Sequence, residues 1–131
     1  MLHLSRVAVG AATLELLAAR IAERARGGEV AISTRHRPTR HAELVGGSLY
    51  WIIRHRLVAR QTILGFATAE DGRCAIRLAL PLVPVRTTPR RAHQGWRYLA
   101  AEEAPPDRDA GDGTADLPPA LRQELDALAL L

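Results

Sequence analysis

The chain opens on an alternation of apolar and polar positions, Leu2-His3-Leu4-Ser5-Arg6-Val7, that runs into Ala8-Val9 and closes at Gly10, and this period of two predicts a first strand. From Thr13 the period changes. Leu14, Leu17, Ala18, Ile21 and Ala25 fall on one helical face, whereas Arg20, Glu23 and Arg24 fall off it. With Thr13 as N-cap and Gly27-Gly28 as a stop, the segment predicts a long N-terminal helix of about four turns, packed by one face on a sheet. EVAISTRHRPTR then predicts a short strand that turns polar and is ended by Pro38, and TRHAELV predicts a short helix capped by Thr39.

Ser48 to Phe66 is rich in β-branched and aromatic residues. Leu49, Trp51, Ile53, Leu57, Ala59 and Ile63 share one parity, and Tyr50, Arg54, Arg56, Arg60 and Thr62 share the other. The stretch exceeds one ordinary strand, which places a turn around Arg54 to Arg56. Asp71-Gly72, lying between two alternating runs, predicts a tight hairpin whose returning strand aims Cys74, Ile76, Leu78 and Leu80 one way and Arg77 the other. Three prolines make PLVPVRTTP an edge or loop segment, and HQGWRYL reads as a last short strand. After Leu99 the composition turns to Ala, Pro, Gly and acid, and then LPPALRQELDALALL resumes helical spacing with Leu121, Leu125 and Leu128 on one stripe. Together these elements predict an α+β protein: a mostly antiparallel sheet or small open barrel with one long N-terminal helix, one short helix, and a C-terminal helix after a linker. The expected organisation is a compact domain over 1–100, an acidic flexible linker over 101–117, and an amphipathic helix over 118–131.

Composition narrows the class. A chain of 131 residues with 47% apolar and 24% charged positions is sized for one core. No window approaches the roughly 20 apolar residues of a membrane span, and no apolar signal core follows Arg6, so the expectation is a cytoplasmic protein with no membrane partner. Cys74 stands alone, which excludes an intramolecular disulfide and a cysteine-based zinc site. Charge is unevenly spread: residues 1–100 carry 16 arginines against six acids, and residues 101–131 carry two arginines against eight acids. A basic body followed by an acidic tail points either to an anionic partner or to a tail that folds back over the body.

Three stretches, RHRPTRHAELVGGSLYW, ARQTILGF and RTTPRRAHQGWRYLAAEEAPPD, resemble domain of unknown function family 1489, a set of small alphaproteobacterial proteins. The resemblance covers most of residues 2–107 and brings no activity, cofactor or site residue with it. Where that family's pattern has a Lys-Gly-like pair after the aromatic strand, this chain has Arg54-His55, a pair less suited to a turn with positive φ.

No nucleotide loop, zinc-protease helix, nucleophile elbow or paired-cysteine motif is present, and Gly46-Gly47 reads as a turn because no lysine and helix follow it. Arginine is the recurrent chemistry. Arg35, Arg37 and Arg40 surround His36 and His41; Arg54, Arg56 and Arg60 form a second group; Arg86, Arg90, Arg91 and Arg97 interleave with Trp96 and Tyr98. Guanidinium groups bind phosphate through two parallel hydrogen bonds, and aromatic faces stack on bases. The expectation is a non-catalytic RNA or nucleic-acid binding module. Arg35, Arg37, Arg40, Arg54, Arg60, Arg91 and Arg97 would supply phosphate contacts, and Tyr50, Trp96 or Tyr98 a stacking surface. Two other classes stand beside it: a protein–protein adaptor docking through the Leu-rich C-terminal helix, and a metal-free phosphodiester-acting enzyme using His36 and His41 with arginine. No cofactor and no metal is expected, since the arginines around His36, His41 and Glu43 oppose a cation there.

Overall fold

The computed structural model describes residues 1–108, in which seven strands build one sheet: β1 (His3–Val7), β2 (Glu29–Thr34), β3 (Ser48–Ile53), β4 (Arg56–Thr68), β5 (Cys74–Ala79), β6 (Val83–Pro89) and β7 (Trp96–Leu99). The strand order is β2-β5-β4-β3-β1-β7, with β6 also on β4. Most neighbours are antiparallel, but β1 runs parallel to β3. The long strand β4 serves two halves of the sheet. Residues 56–60 pair with β6, and residues 63–68 pair with β5, which continues into β6 through the break at Leu80–Leu82.

α1 (Leu14–Arg24) starts where Thr13 accepts a hydrogen bond from the Leu16 N–H at 3.2 Å, and it buries Leu17 and Ile21. These two join Leu4, Ala8, Val30, Leu49, Trp51, Ile63, Ile76 and Leu78 in the main core. The sheet curls enough to bring β2 back toward β1, because Arg6 Nη1 donates to the Ser33 carbonyl at 3.2 Å. On the other face Tyr50, Ile52, Leu57, Val85 and Leu99 form a second, smaller core. Gln61, fully buried in β4, accepts from Trp51 Nε1 at 2.9 Å and donates to the Ala79 carbonyl at 3.1 Å, so its amide finds partners on both sides of its strand.

Three expectations are corrected. The α+β reading gives way to a mostly sheet protein, because the strands far outweigh one helix of 11 residues and the single turn α2 (His41–Leu44). The sheet is mixed, through the parallel pair β1 and β3, and open, with β2 and β7 as its ends. The N-terminal helix is about three turns long and not four. It stops at Arg24 because Ala25 takes extended dihedrals, and Arg26 and Glu29 exchange backbone hydrogen bonds across Gly27 and Gly28, at φ 61° and 82°. The glycine pair thus makes the tight turn into β2 and is not the helix stop. The C-terminal helix expected over 118–131 lies outside the described residues.

Parity also fails at one point. Ile52 faces Leu57 while Trp51 faces Ala59, so Val58 is an extra residue in β4. The two-residue turn sets Leu57 opposite Ile52 in the second core, and the bulge returns Ala59 and Ile63 to the Leu49–Trp51–Ile53 face. Gly47 is required by close approach: a Cβ there would sit 2.2 Å from the Leu2 carbonyl oxygen. Past Leu99 the chain stays on the body. Ala101–Glu103 forms a 3-10 turn, and Asp107 bridges to Val85 of β6.

Candidate polyanion-binding surface

The arginines divide into those that meet a carboxylate and those that do not. Arg60 grips Asp107 through Nε and Nη2 at 2.6 and 2.7 Å, and Arg77 grips Glu29 across β5 and β2 at 2.8 Å through both arms. Arg40 pairs with Glu43 at 2.6 Å, and Arg90 with Glu103 at 2.6 Å. In each pair the guanidinium holds its carboxyl below the ordinary carboxylate range, chiefly by hydrogen bonding. Among the described residues no carboxylate meets Arg35, Arg37, Arg54, Arg91 or Arg97, and all five are exposed.

Three of those five come from neighbouring parts of one rim. Ile53 and Arg56 close a two-residue hairpin, so Arg54 and His55 occupy the turn with φ 51° and 60°. Both values lie in the left-handed region that a type I′ hairpin demands and that glycine or asparagine fills most easily. The segment after β6 fastens onto this turn: Arg90 N–H donates to the His55 carbonyl at 2.8 Å, and Ala92 N–H donates to His55 Nδ1 at 2.9 Å. An acceptor at Nδ1 puts the ring proton of a neutral His55 on Nε2. His55, Pro89, Arg90, Arg91, His93 and Arg97 then line an open depression of about 600 Å³. His93 lies 2.9 Å from Ser5 Oγ through Nε2, and burial, helped by the charges of Arg97 and Arg90, pushes its pKa down. A neutral imidazole beside guanidinium groups leaves the positive potential to the arginines.

The remaining sequence candidates are placed elsewhere. Arg35 and Arg37 lie in the bend after β2 and do not line the depression. Arg40 is committed to Glu43; its N–H donates to the Tyr98 hydroxyl, and its guanidinium sits 5.7 Å from that ring. Arg60 is committed to Asp107 and Ser48. Tyr50 is 4% exposed and meets His3 edge-on, which removes it as a stacking platform. Trp96 and Tyr98 contact each other edge to face at 5.1 Å and pack on the main core. Strand alternation therefore separates them from Arg97, whose β1 partner is the buried Ser5. His36 is exposed in the bend, and His41 packs edge-on against Phe66, so these two imidazoles form no joint site. The imidazoles that do converge with arginine are His55 and His93. The clustered Arg90-Arg91 and His93, set opposite a charged hairpin tip, were the available signal for them.

Among the described residues no three His, Cys, Asp or Glu side chains gather as a metal site. Cys74 is buried, and burial pushes its thiol pKa up, away from a reactive thiolate. No helix among these residues is long and apolar enough to cross a membrane.

The family model described as "Protein of unknown function (DUF1489)" matches residues 4–131, and the chain belongs to that family. The match includes the Leu-rich end, beyond the residues that carry the resemblance quoted above. Neither a curated protein nor a solved structure was found to match.

Proposed function

We propose that this protein binds RNA or another polyanion, without catalysis, through the rim formed by the β3–β4 turn, the 89–93 segment and β7. The observation that carries the reading is the contrast between arginines. Among the described residues Arg40, Arg60, Arg77 and Arg90 are paired with carboxylates, whereas Arg54, Arg91 and Arg97, near one open depression, meet none. Exposed guanidinium groups held on a hairpin, a tethered segment and a strand suit phosphate oxygens, which are plentiful and spaced along a flexible chain. The aromatic side chains face away from this rim or are buried, so recognition is of phosphate and not of base identity, and binding is insensitive to sequence.

Fluorescence anisotropy with labelled single-stranded RNAs of unrelated sequence tests this. Affinity should fall steeply as salt rises, with similar slopes for all sequences, and the Arg91→Glu/Arg97→Glu double variant should lose binding while its circular dichroism stays that of the parent. Absence of salt-sensitive binding at low ionic strength, or parental affinity in the double variant, overturns the proposal. Cleavage of the RNA during the assay would instead support a phosphodiester-acting enzyme.

A further inference from the structure

A second cleft, of about 320 Å³, lies between α1, β1 and β2 and shares no lining residue with the depression at the arginine rim. Its floor is apolar: Ala8, Leu17, Ile21, Val30 and Trp51, all members of the main core. Its walls carry Arg6, Arg20 and Arg24. Among the described residues none of these three meets a carboxylate, unlike Arg40, Arg60, Arg77 and Arg90.

Two of the three are held in place. Arg6 projects from β1 and donates to the Ser33 carbonyl at 3.2 Å; Arg20 reaches from α1 to the Val9 carbonyl at 3.0 Å. The Arg20 guanidinium lies against Gly10, where a Cβ would come within 2.7 Å of Nη1, so the glycine makes room for it. Each guanidinium uses one N–H in these bonds and has others to offer. Arg6 is also partly buried, and that burial, together with the charge of Arg73, pushes its pKa down. A guanidinium taken from water without a counter-charge is unfavourable, and a bound anion relieves it.

We infer that this cleft binds a small amphiphilic anion, an aliphatic carboxylate whose chain lies on the Trp51 floor and whose head meets Arg6 and Arg20. The volume is at the small end for ligand pockets, and an apolar floor with a few converging polar groups is the usual composition of such sites. An apolar floor gives no partners to the sugars of a nucleic acid, which separates this site from the arginine rim.

The test is titration of the full chain with octanoate, followed by calorimetry and by the indole N–H resonance of Trp51, with Trp96, which does not line the cleft, as internal control. Saturable one-to-one binding that shifts the Trp51 resonance is expected, with acetate and 1-octanol each binding at least tenfold more weakly. Arg20→Gln, on the exposed face of α1, should weaken octanoate at least tenfold and leave RNA binding unchanged; Arg6→Gln should do the same if it folds. Equal binding of octanol and octanoate, an unmoved Trp51 resonance, or parental affinity in Arg20→Gln overturns the inference. None of these results depends on the arginine rim, and Arg91→Glu/Arg97→Glu should bind octanoate as the parent does.

Discussion

At the β3–β4 turn, stability and binding pull in opposite directions, and Arg54→Gly separates them. Arg54 and His55 hold φ 51° and 60°, a conformation that costs a non-glycine residue about 1–2 kcal/mol. Glycine removes that cost but returns roughly 0.5–1 kcal/mol of conformational freedom to the unfolded chain. The Arg54 side chain is exposed in the turn and is not among the groups that tether the 89–93 segment, so little contact energy is lost. The net expectation for Arg54→Gly is a gain of about 0.5–1 kcal/mol, or roughly 3–5 °C in Tm for a domain of this size. His55→Gly relieves the same strain but forfeits the hydrogen bond from Ala92 N–H, worth about 0.5–1.5 kcal/mol, so it should be close to neutral. Urea unfolding followed by tryptophan fluorescence measures both. In the RNA titration, Arg54→Gly should weaken binding and make the salt dependence shallower by about 0.7 in log–log slope, the value of one lost phosphate contact on a single strand. Arg54→Lys keeps the strain and the charge and should match the parent in stability. If Arg54→Gly unfolds at the same or lower urea concentration than the parent, the strain argument is wrong. If its salt slope is unchanged, Arg54 makes no phosphate contact.

Gly47→Ala should destabilise by about 3 kcal/mol, at the upper end of overpacking costs, because its Cβ would come nearest to the backbone carbonyls of Leu2 and Leu44, which cannot swing aside as a side chain can; Gly46→Ala, strained only by φ 90°, should cost less. Acid should act in two stages. Burial holds the pKa values of His3 and His93 below their unfolded value near 6.5, so the unfolded chain binds more protons and stability falls as pH drops from about 6.5 through their depressed values. Asp107, Glu29, Glu43 and Glu103 are also depressed; their contribution is present above the unfolded carboxylate range and is lost as pH falls below about 4.5 through their folded values. Urea midpoints across pH 3–8 should show both declines, and replacing His3 and His93 by Gln should remove the upper one alone.

Local chemistry was legible in the sequence, and long-range pairing was not. Thr13 caps α1, Asp71-Gly72 joins β4 to β5, and the turn falls at Arg54-His55, because each depends on a few adjacent residues. Counting parity through Ser48–Phe66 failed at Leu57 alone: the two-residue turn flips the count and the bulge at Val58 restores it, so Ala59 and Ile63 lie on the counted face, and composition does not announce either break. The arginine clusters were visible as residue types, but their neutralisation was not. Arg60 finds Asp107 and Arg77 finds Glu29 only once the sheet has brought distant segments together. The interleaved Trp96-Arg97-Tyr98 read as one surface, yet alternation along β7 puts the ring pair and the cation on opposite faces.

The sharing of β4 has a consequence for how the domain comes apart. Its 13 residues pair with β3 and β6 at one end and with β5 at the other, and Leu57, Val58, Ala59, Gln61 and Ile63 along it are essentially inaccessible. Opening either half of the sheet exposes buried residues of the strand that the other half pairs with, which couples the two ladders. The expected consequence is that the sheet unfolds as one cooperative unit, with the central amide protons of β4 the slowest to exchange in a hydrogen-exchange measurement.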